Sequence, residues 1–323
     1  MSKFRVGVIG LGNMGRNHVR IYSETEHATL AAVCDADAAV AKSFSEKYGV
    51  PGYSDYEEML SKEKLDAVSI VVPTKHHLGV ALAVAKHNVS ILLEKPIALT
   101  VEEARDIISA CKEHGMMLMV GHIERFNPAI IELKKRLDAK ELSEIYKIEV
   151  QRCGPFPSRV VDVGVIIDLS VHDLDIISYL TGSKVTQAIS VTQKKLHKSQ
   201  EDSLVAILRY ANGMVATLNV NWLSPNKVRE LNIYGKEGMF KVDYLTQELY
   251  FYENKGLTHR KGQNLFTTVI EGKKTQLTVA RVEPLKAELE AFVAHLPDKK
   301  SPVPGEEALA ALQQAIQLKE ESQ

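Results

Sequence analysis

Val6-Gly7-Val8-Ile9-Gly10-Leu11-Gly12-Asn13-Met14-Gly15 is the stretch on which the fold turns. Glycines 10, 12 and 15 follow a short apolar strand at 4–10 and open a helix over 13–23. In that context Gly10 permits a tight turn, Gly12 lets the backbone approach a pyrophosphate, and Gly15 lets helix and strand pack closely. Phosphates would then rest over the helix N-terminus, where amide groups and the dipole favour an anion. Asn13 and Met14 lie inside the loop and count with the glycines as cofactor contacts. Asp35, 20 residues beyond Gly15, follows a second strand at 29–34. It stands where an acid accepts hydrogen bonds from the ribose hydroxyls of a dinucleotide. Ala36 and Asp37 come next, and no cation appears before Lys42. A 2′-phosphate would therefore face two carboxylates, and the pattern selects NAD over NADP. Asp37 itself reads better as a helix N-cap than as a cofactor contact.

Outward from this fingerprint, strand-like and helix-like segments alternate as far as residue 120. Helices are expected at 36–48, 56–61, 77–87 and 101–114, and strands at 67–72, 90–93 and 117–120. That alternation predicts a parallel sheet wrapped by helices, a doubly wound Rossmann domain. After a helix at 128–137 the rhythm changes. Strand-like segments follow one another at 145–152, 185–194, 203–210, 215–222, 228–234, 240–244 and 248–252. Asn212-Gly213 marks a hairpin between two of them, and 235–238 and 271–274 read as further turns. One buried helix is expected at 165–180. The second half is thus α+β, an open and mostly antiparallel sheet, and the whole chain is of the α/β class. The expected division is 1–121 for the dinucleotide domain and 122–283 for a substrate-binding sheet domain. Residues 284–323 are read as C-terminal helices, at 284–295 and 306–319, packing back on the first domain.

Composition narrows the function. Forty basic against 41 acidic side chains leave a net charge of -1, which argues against nucleic acid as a partner, since such proteins carry a basic face. Three scattered cysteines, Cys34, Cys111 and Cys153, offer no paired spacing for a zinc cage or a disulfide framework. They fit a reducing cytosol, and no metal is expected. Met1-Ser2-Lys3-Phe4-Arg5 runs straight into a strand, leaving no room for a signal peptide. No apolar run approaches the roughly 20 residues of a membrane span. A soluble, cytoplasmic protein is expected.

The chemistry lies in three further segments. Pro73-Thr74-Lys75-His76-His77 follows a strand at its carboxyl end, where open α/β sheets bind ligands. Pro73, Thr74 and His77 are candidate cofactor contacts, although His77 reads equally as the first residue of a helix. Glu94-Lys95-Pro96 follows the next strand, and proline biases Lys95 to an extended backbone. A lysine beside a positively charged nicotinamide loses its proton more readily; Glu94 and Lys95 are placed at the cofactor. In Asp168-Leu169-Ser170-Val171-His172-Asp173-Leu174-Asp175 a spacing of four puts Asp168 and His172 on one helix face. Carboxylate, imidazole and lysine form a proton-handling set. The competing reading of Asp168 and His172 is a buried ion pair in a core helix. Asp173 and Asp175 read as structural.

The fingerprint, Glu94-Lys95-Pro96-Ile97-Ala98, Gly121-His122-Ile123-Glu124-Arg125-Phe126-Asn127-Pro128 and the 168–175 segment occur in the order that marks a known family. The chain resembles the glucose–fructose oxidoreductase / inositol dehydrogenase (Gfo/Idh/MocA) family over nearly its whole length. The resemblance implies a Rossmann domain followed by a sheet domain whose exposed face builds homodimers or homotetramers. It also implies Lys95, Asp168 and His172 as the catalytic set. His172 would take the hydroxyl proton while hydride leaves the same carbon for NAD, Asp168 would orient the imidazole, and Lys95 would hold the hydroxyl oxygen. A histidine, with an ordinary pKa of about 6.5, suits that role.

Substrate residues are expected to be His122, Arg125, Asn127, Arg152, Arg159 and His172. The segments 121–129 and 152–164 resemble those of family members that act as UDP-N-acetylglucosamine 3-dehydrogenases. That resemblance implies oxidation of a UDP-N-acetylhexosamine at C3, with Arg152 and Arg159 clamping a diphosphate. The other reading of the arginines is pairing with Asp162, Glu149 or a neighbouring subunit. Arg125 reads equally as a salt bridge at the domain junction. Two other functions stay open: oxidation of an inositol or free sugar, and dinucleotide sensing without turnover. A sensor would be expected to lose the lysine or the histidine, and this chain keeps both.

Overall fold

A computed structural model describes residues 3–157, 163–255 and 271–322. Two compact units emerge. One comprises Met1–Phe126 with Val282–Gln313, the other Asn127–Arg281 with Gln314–Gln323.

In the first unit β1 (Phe4–Ile9), α1 (Gly15–Glu24), β2 (Ala28–Cys34), α2 (Ala38–Tyr48), β3 (Gly52–Tyr53), α3 (Tyr56–Lys62), β4 (Ala67–Ile70), α4 (His77–Lys86), β5 (Ser90–Glu94), α5 (Val101–Glu113) and β6 (Leu118–Gly121) alternate. The strands pair in parallel in the order β3-β2-β1-β4-β5-β6. This is the doubly wound order, with its reversal between β1 and β4. Parallel strands covered on both faces demand near-continuous apolar runs. Val6, Val8, Val68, Ile70, Ile91 and Leu93 accordingly show no exposure. Side chains cap the starts of three helices: Asp37 for α2, Asp55 for α3 and Thr100 for α5. No side chain caps α1, and its first turn holds no acid. The two-residue β3 is too short to announce itself by periodicity.

The second unit holds α6 (Pro128–Asp138), β7 (Ile145–Cys153), α7 (Val171–Thr181), β8 (Val185–Gln193), β9 (Ser203–Tyr210), β10 (Val215–Asn221), β11 (Val228–Gly235), β12 (Gly238–Asp243), β13 (Glu248–Glu253) and β14 (Lys274–Leu277). The order is β14-β13-β12-β11-β7-β10-β9-β8. Every neighbouring pair is antiparallel except β7 with β10. Alternation decides the faces: along β9, Leu204, Ala206, Leu208 and Tyr210 are buried while Val205 and Ile207 are exposed. Gly213, at φ +86°, makes the expected Asn212-Gly213 turn.

The structure departs from the sequence expectations in several places. The helix expected at 165–180 begins as a π-turn, Ile166–Ser170, because the Val171 N–H reaches back five residues to the Ile166 carbonyl. Lys274 starts a strand rather than lying in a turn. The units divide after Phe126, since Arg125 pairs with Glu307 in the first unit at 2.5 Å. Asn127, by contrast, caps α6 and donates to the Tyr244 carbonyl in the second. Of the C-terminal helices, α8 (Pro284–Ala294) lies in the first unit. The last, α9 (Gly305–Glu320), is shared, with Ser190 donating to the Leu318 carbonyl in the second unit.

Candidate active site

The cofactor half is built at the carboxyl ends of β1, β2, β4 and β5 in the first unit. Gly10 has φ +93°, and a β-carbon there would stand 2.6 Å from the Val71 carbonyl oxygen. At Gly15 a β-carbon would stand 1.9 Å from the Gly10 carbonyl oxygen. Both glycines are required by the protein's own packing. Gly12 differs, because a β-carbon there would meet no atom within 4 Å beyond its chain neighbours. Open space at that α-carbon is what close approach of a pyrophosphate requires. Together with the uncapped start of α1, it fits a dinucleotide. Asn13 and Met14 are exposed between them.

Asp35, half-buried, accepts the Leu11 N–H at 2.8 Å and the Asp37 N–H at 2.9 Å. It therefore shapes the glycine loop and keeps lone pairs for ribose hydroxyls. Asp37 is the N-cap it was expected to be, accepting from Ala39 and Val40.

Beyond β4, Pro73 is exposed and Thr74 half-exposed in a single 3-10 turn. His77 corrects the expectation of a cofactor contact. It is 1% exposed, and its ring nitrogens face backbone carbonyls, Nδ1 that of Pro96 at 3.0 Å and Nε2 that of Val72 at 3.0 Å. Burial pushes its pKa down, against the raising effect of those carbonyls. His77 holds the loop after β4 to the segment after β5.

Glu94 likewise turns inward. Its carboxylate lies 3.2 Å from His18 Nε2 and accepts the Lys95 N–H at 3.2 Å. Burial pushes its pKa up, but the hydrogen bond to His18 and the His18 and Lys95 charges outweigh that and hold it below the usual range. Gly121 leaves it room, since a β-carbon there would come within 3.3 Å of the carboxylate. The Glu94 carboxylate is thus engaged with His18 and with the backbone of Lys95. Lys95 is half-buried at the carboxyl end of β5, with a cis peptide bond to Pro96.

In the second unit Asp168 is half-buried in the π-turn, and His172, 8% exposed, lies in the first turn of α7. Arg152 corrects the proposed diphosphate clamp. Its Nε donates to both Asp173 oxygens, at 2.9 and 2.8 Å, with side chains 4% and 1% exposed. The guanidinium also lies 5.2 Å from the Tyr244 ring centroid. Buried and paired in this way, it is a core strut. Asp173 supplies the pairing that the sequence could not name, and Asp175 is buried as expected.

Arg159 lies outside the described residues. Asn127 is 2% exposed with both ends of its amide engaged, so it is a structural cap rather than a substrate contact. Arg125, 5% exposed, is the salt bridge to Glu307, and His122 is 1% exposed.

Arg229, His197 and Glu288 escaped the sequence reading. Arg229 donates to the Cys153 carbonyl at 2.5 Å beside the loop that follows β7. Phe156 of that loop, His197 between β8 and β9 and Trp222 just after β10 form an aromatic cluster, with Phe156 meeting Trp222 edge-on at 5.8 Å. Glu288 of α8 has no exposure. Only this last left a trace: it falls in the stripe Leu285, Glu288, Leu289, Phe292, where helical spacing predicts apolar residues.

An unobstructed Gly12 and a carboxylate at Asp35 are what a dinucleotide asks of this sheet edge, and the class is that of Rossmann nucleotide-binding enzymes. The model for the oxidoreductase family with an NAD-binding Rossmann fold (Gfo/Idh/MocA) matches residues 4–122. The model for the GFO/IDH/MocA C-terminal domain matches 130–241. The chain belongs to this family and is an NAD-dependent oxidoreductase. It is 31% identical to a UDP-N-acetylglucosamine 3-dehydrogenase of Acidithiobacillus ferrooxidans over 315 residues, 96% of each chain. A solved structure of the UDP-N-acetylglucosamine 3-dehydrogenase of that organism matches with a TM-score of 0.88 at 29% identity, covering 100% of this chain and 98% of the other. A scyllo-inositol 2-dehydrogenase (NAD(+)) of Bacillus subtilis is 34% identical over 188 residues, 56% of this chain and 55% of its own.

Proposed function

We propose that this enzyme oxidises the 3-hydroxyl of a UDP-N-acetylhexosamine, UDP-N-acetylglucosamine first among them. The observation that carries this reading is the likeness to the UDP-N-acetylglucosamine 3-dehydrogenase, which runs through 96% of the chain. The inositol dehydrogenase match covers 56%.

Bound NAD supplies the hydride acceptor. Its pyrophosphate would approach at Gly12, in the loop that Gly10 and Gly15 allow to pack, and Asp35 would hold its adenosine ribose. His172 takes the proton of the hydroxyl being oxidised, as a general base positioned on a helix. Asp168, four residues earlier, orients the imidazole and stabilises its cation. Lys95, its backbone held by Glu94, binds the hydroxyl oxygen. The engagement of Arg152 with Asp173 removes one arm of the expected phosphate clamp, so a free cyclitol is the second reading.

The test is NADH formation with UDP-N-acetylglucosamine, followed by its absorbance. Lys95→Met and His172→Asn should each lower kcat by on the order of 10²–10⁴-fold. NAD affinity, measured by calorimetry, should stay close to wild type. Turnover of inositols with none of the UDP-sugar would install the second reading, and full activity of either variant would remove the catalytic assignment.

A homo-oligomer built through the uncovered sheet face is part of the proposal. Ile189 and Val191 of β8 pair directly with Ile207 and Val205 of β9, and all four are at least half exposed. Contiguous apolar surface of this kind marks an interface. A cytoplasmic setting is supported by three buried cysteines, all free. Among the described residues no helix is long and apolar enough to cross a membrane.

A further inference from the structure

The start of the helical segment that carries Asp168 and His172 is held by one acid from the loop between β8 and β9. Val165 donates its N–H to the Glu201 backbone oxygen at 2.9 Å, and Ile166 donates to Glu201 Oε1 at 3.3 Å. The Glu201 side chain is only 9% exposed, and Lys319 Nζ stands 3.8 Å from its other oxygen. Gly164 has no space for a side chain, because a β-carbon there would stand 2.0 Å from Glu201 Oε1.

The loop presenting Glu201 is itself stiff. Asp202 Oδ2 accepts the N–H groups of Lys195, Leu196 and His197 at 2.7, 2.5 and 2.9 Å. His197 Nδ1 accepts those of Ser199 and Gln200 at 3.1 and 2.9 Å.

What this loop holds is the π-turn. The Asp168 N–H bonds Gly164 four residues back at 3.0 Å, whereas the Val171 N–H reaches Ile166, five back. A π-turn takes up one residue more than an α-turn. Were it to relax to α geometry, α7 would turn by about 100° relative to a fixed start. His172 would turn with it. Keeping the extra residue in place therefore requires that the first amides be pinned, and Glu201 pins two in succession.

We propose that Glu201 is a positioning residue for the Asp168–His172 pair: it fixes the π-turn and thereby the direction in which the imidazole is presented. This rests on the proposed roles of Asp168 and His172. The alternative is an ordinary acid at a helix N-terminus, which stabilises the helix and nothing else. An ordinary cap would move the melting temperature without moving the chemistry.

Glu201→Ala, Glu201→Gln and Gly164→Ala separate the two. Hydrogen exchange read over residues 163–172 of the full chain should speed up in Glu201→Ala and in Gly164→Ala, whose new methyl displaces the carboxylate. It should stay near wild type in Glu201→Gln, which keeps an acceptor for Ile166. With UDP-N-acetylglucosamine and NAD, kcat of the first two should fall on the order of tenfold to a hundredfold, as for a misplaced catalytic group. The KM for NAD should not change, and Glu201→Gln should restore kcat. Unaltered exchange over 163–172 in Glu201→Ala overturns the proposal. So does a lowered melting temperature with wild-type kcat. If wild type does not turn over the UDP-sugar, the substrate assignment falls, and the exchange result alone decides the role of Glu201.

Discussion

Glu288 is a carboxyl with no exposure and no hydrogen-bond partner for either oxygen among the described residues. Burial, and then the charge of Glu94, push its pKa well above the ordinary carboxylate value. The folded state thus binds this proton more tightly than the unfolded chain, whose glutamate titrates near 4.3. Below that pH both states are protonated and nothing is lost. As pH rises from there toward the folded-state value, the penalty for keeping the proton, or for burying the charge, grows. Glu288→Gln should therefore raise the melting temperature by an amount close to zero near pH 4 and largest above neutrality. Thermal melts across that range check it, and a gain independent of pH would show that the group does not titrate. Arg152 makes the opposite case. Truncating it breaks the buried ion pair with Asp173, and Arg152→Met should cost about 3–5 kcal/mol in denaturant unfolding. The double variant with Asp173→Leu should recover much of that loss. In the sequence Arg152 looked like a ligand because its charge was visible and its burial was not. Alternation along β7 put it on the inward face with Ile148 and Val150, and that was the signal to weigh.

At the scale of elements, what could be read was what residue type alone dictates. The glycine loop, the parallel strands and the cap at Asp37 follow from sterics, apolar runs and side-chain acceptors, and each stands where expected. The π-turn could not be read, because the residue pattern of 165–180 is equally helical whether an amide reaches four residues back or five. His77 failed for a related reason: its position at a strand's carboxyl end is legible, but the carbonyls of Pro96 and Val72 that take up its ring come from the tertiary fold. The glycines permit a test that separates packing from ligand. Gly15→Ala drives a methyl into the Gly10 carbonyl, and overpacking of this kind costs about 1–3 kcal/mol. It should lower both the melting temperature and NAD affinity. Gly12→Ala meets no protein atom, so its melting temperature without cofactor should match wild type. Its NAD affinity, by calorimetry, should fall at least as far as that of Gly15→Ala. Equal NAD affinity of Gly12→Ala and wild type would mean that the pyrophosphate does not approach at that residue.

For the molecule as a whole, the sequence shows two halves with different rhythms but not which surface meets a second copy. Burial alternates along β8 and β9 as for a half-solvated sheet, yet the uncovered side carries Ile189, Val191, Val205 and Ile207, which are 50–59% exposed. In a chain that stays monomeric, those positions are where alternation calls for polar residues. The pairs Ile189–Ile207 and Val191–Val205 lie side by side across two strands, so the apolar surface is continuous rather than scattered. Farther along the same sheet, on β7 and β11, Glu149 is bonded to Lys147 and Tyr234, a polar network that suits solvent or an interface rim. In the proposed oligomer the apolar contact is expected at the β8–β9 end. Val205→Lys together with Ile207→Glu places two charges in that contact, where like surfaces would have to bury them without matched partners. Light scattering after size exclusion should find wild type as a dimer or tetramer and the double variant at the mass of one chain. The thermal unfolding of the separated variant should stay cooperative, since neither side chain faces the core. A wild-type mass of one chain, or a variant mass equal to an oligomeric wild type, would move the interface elsewhere.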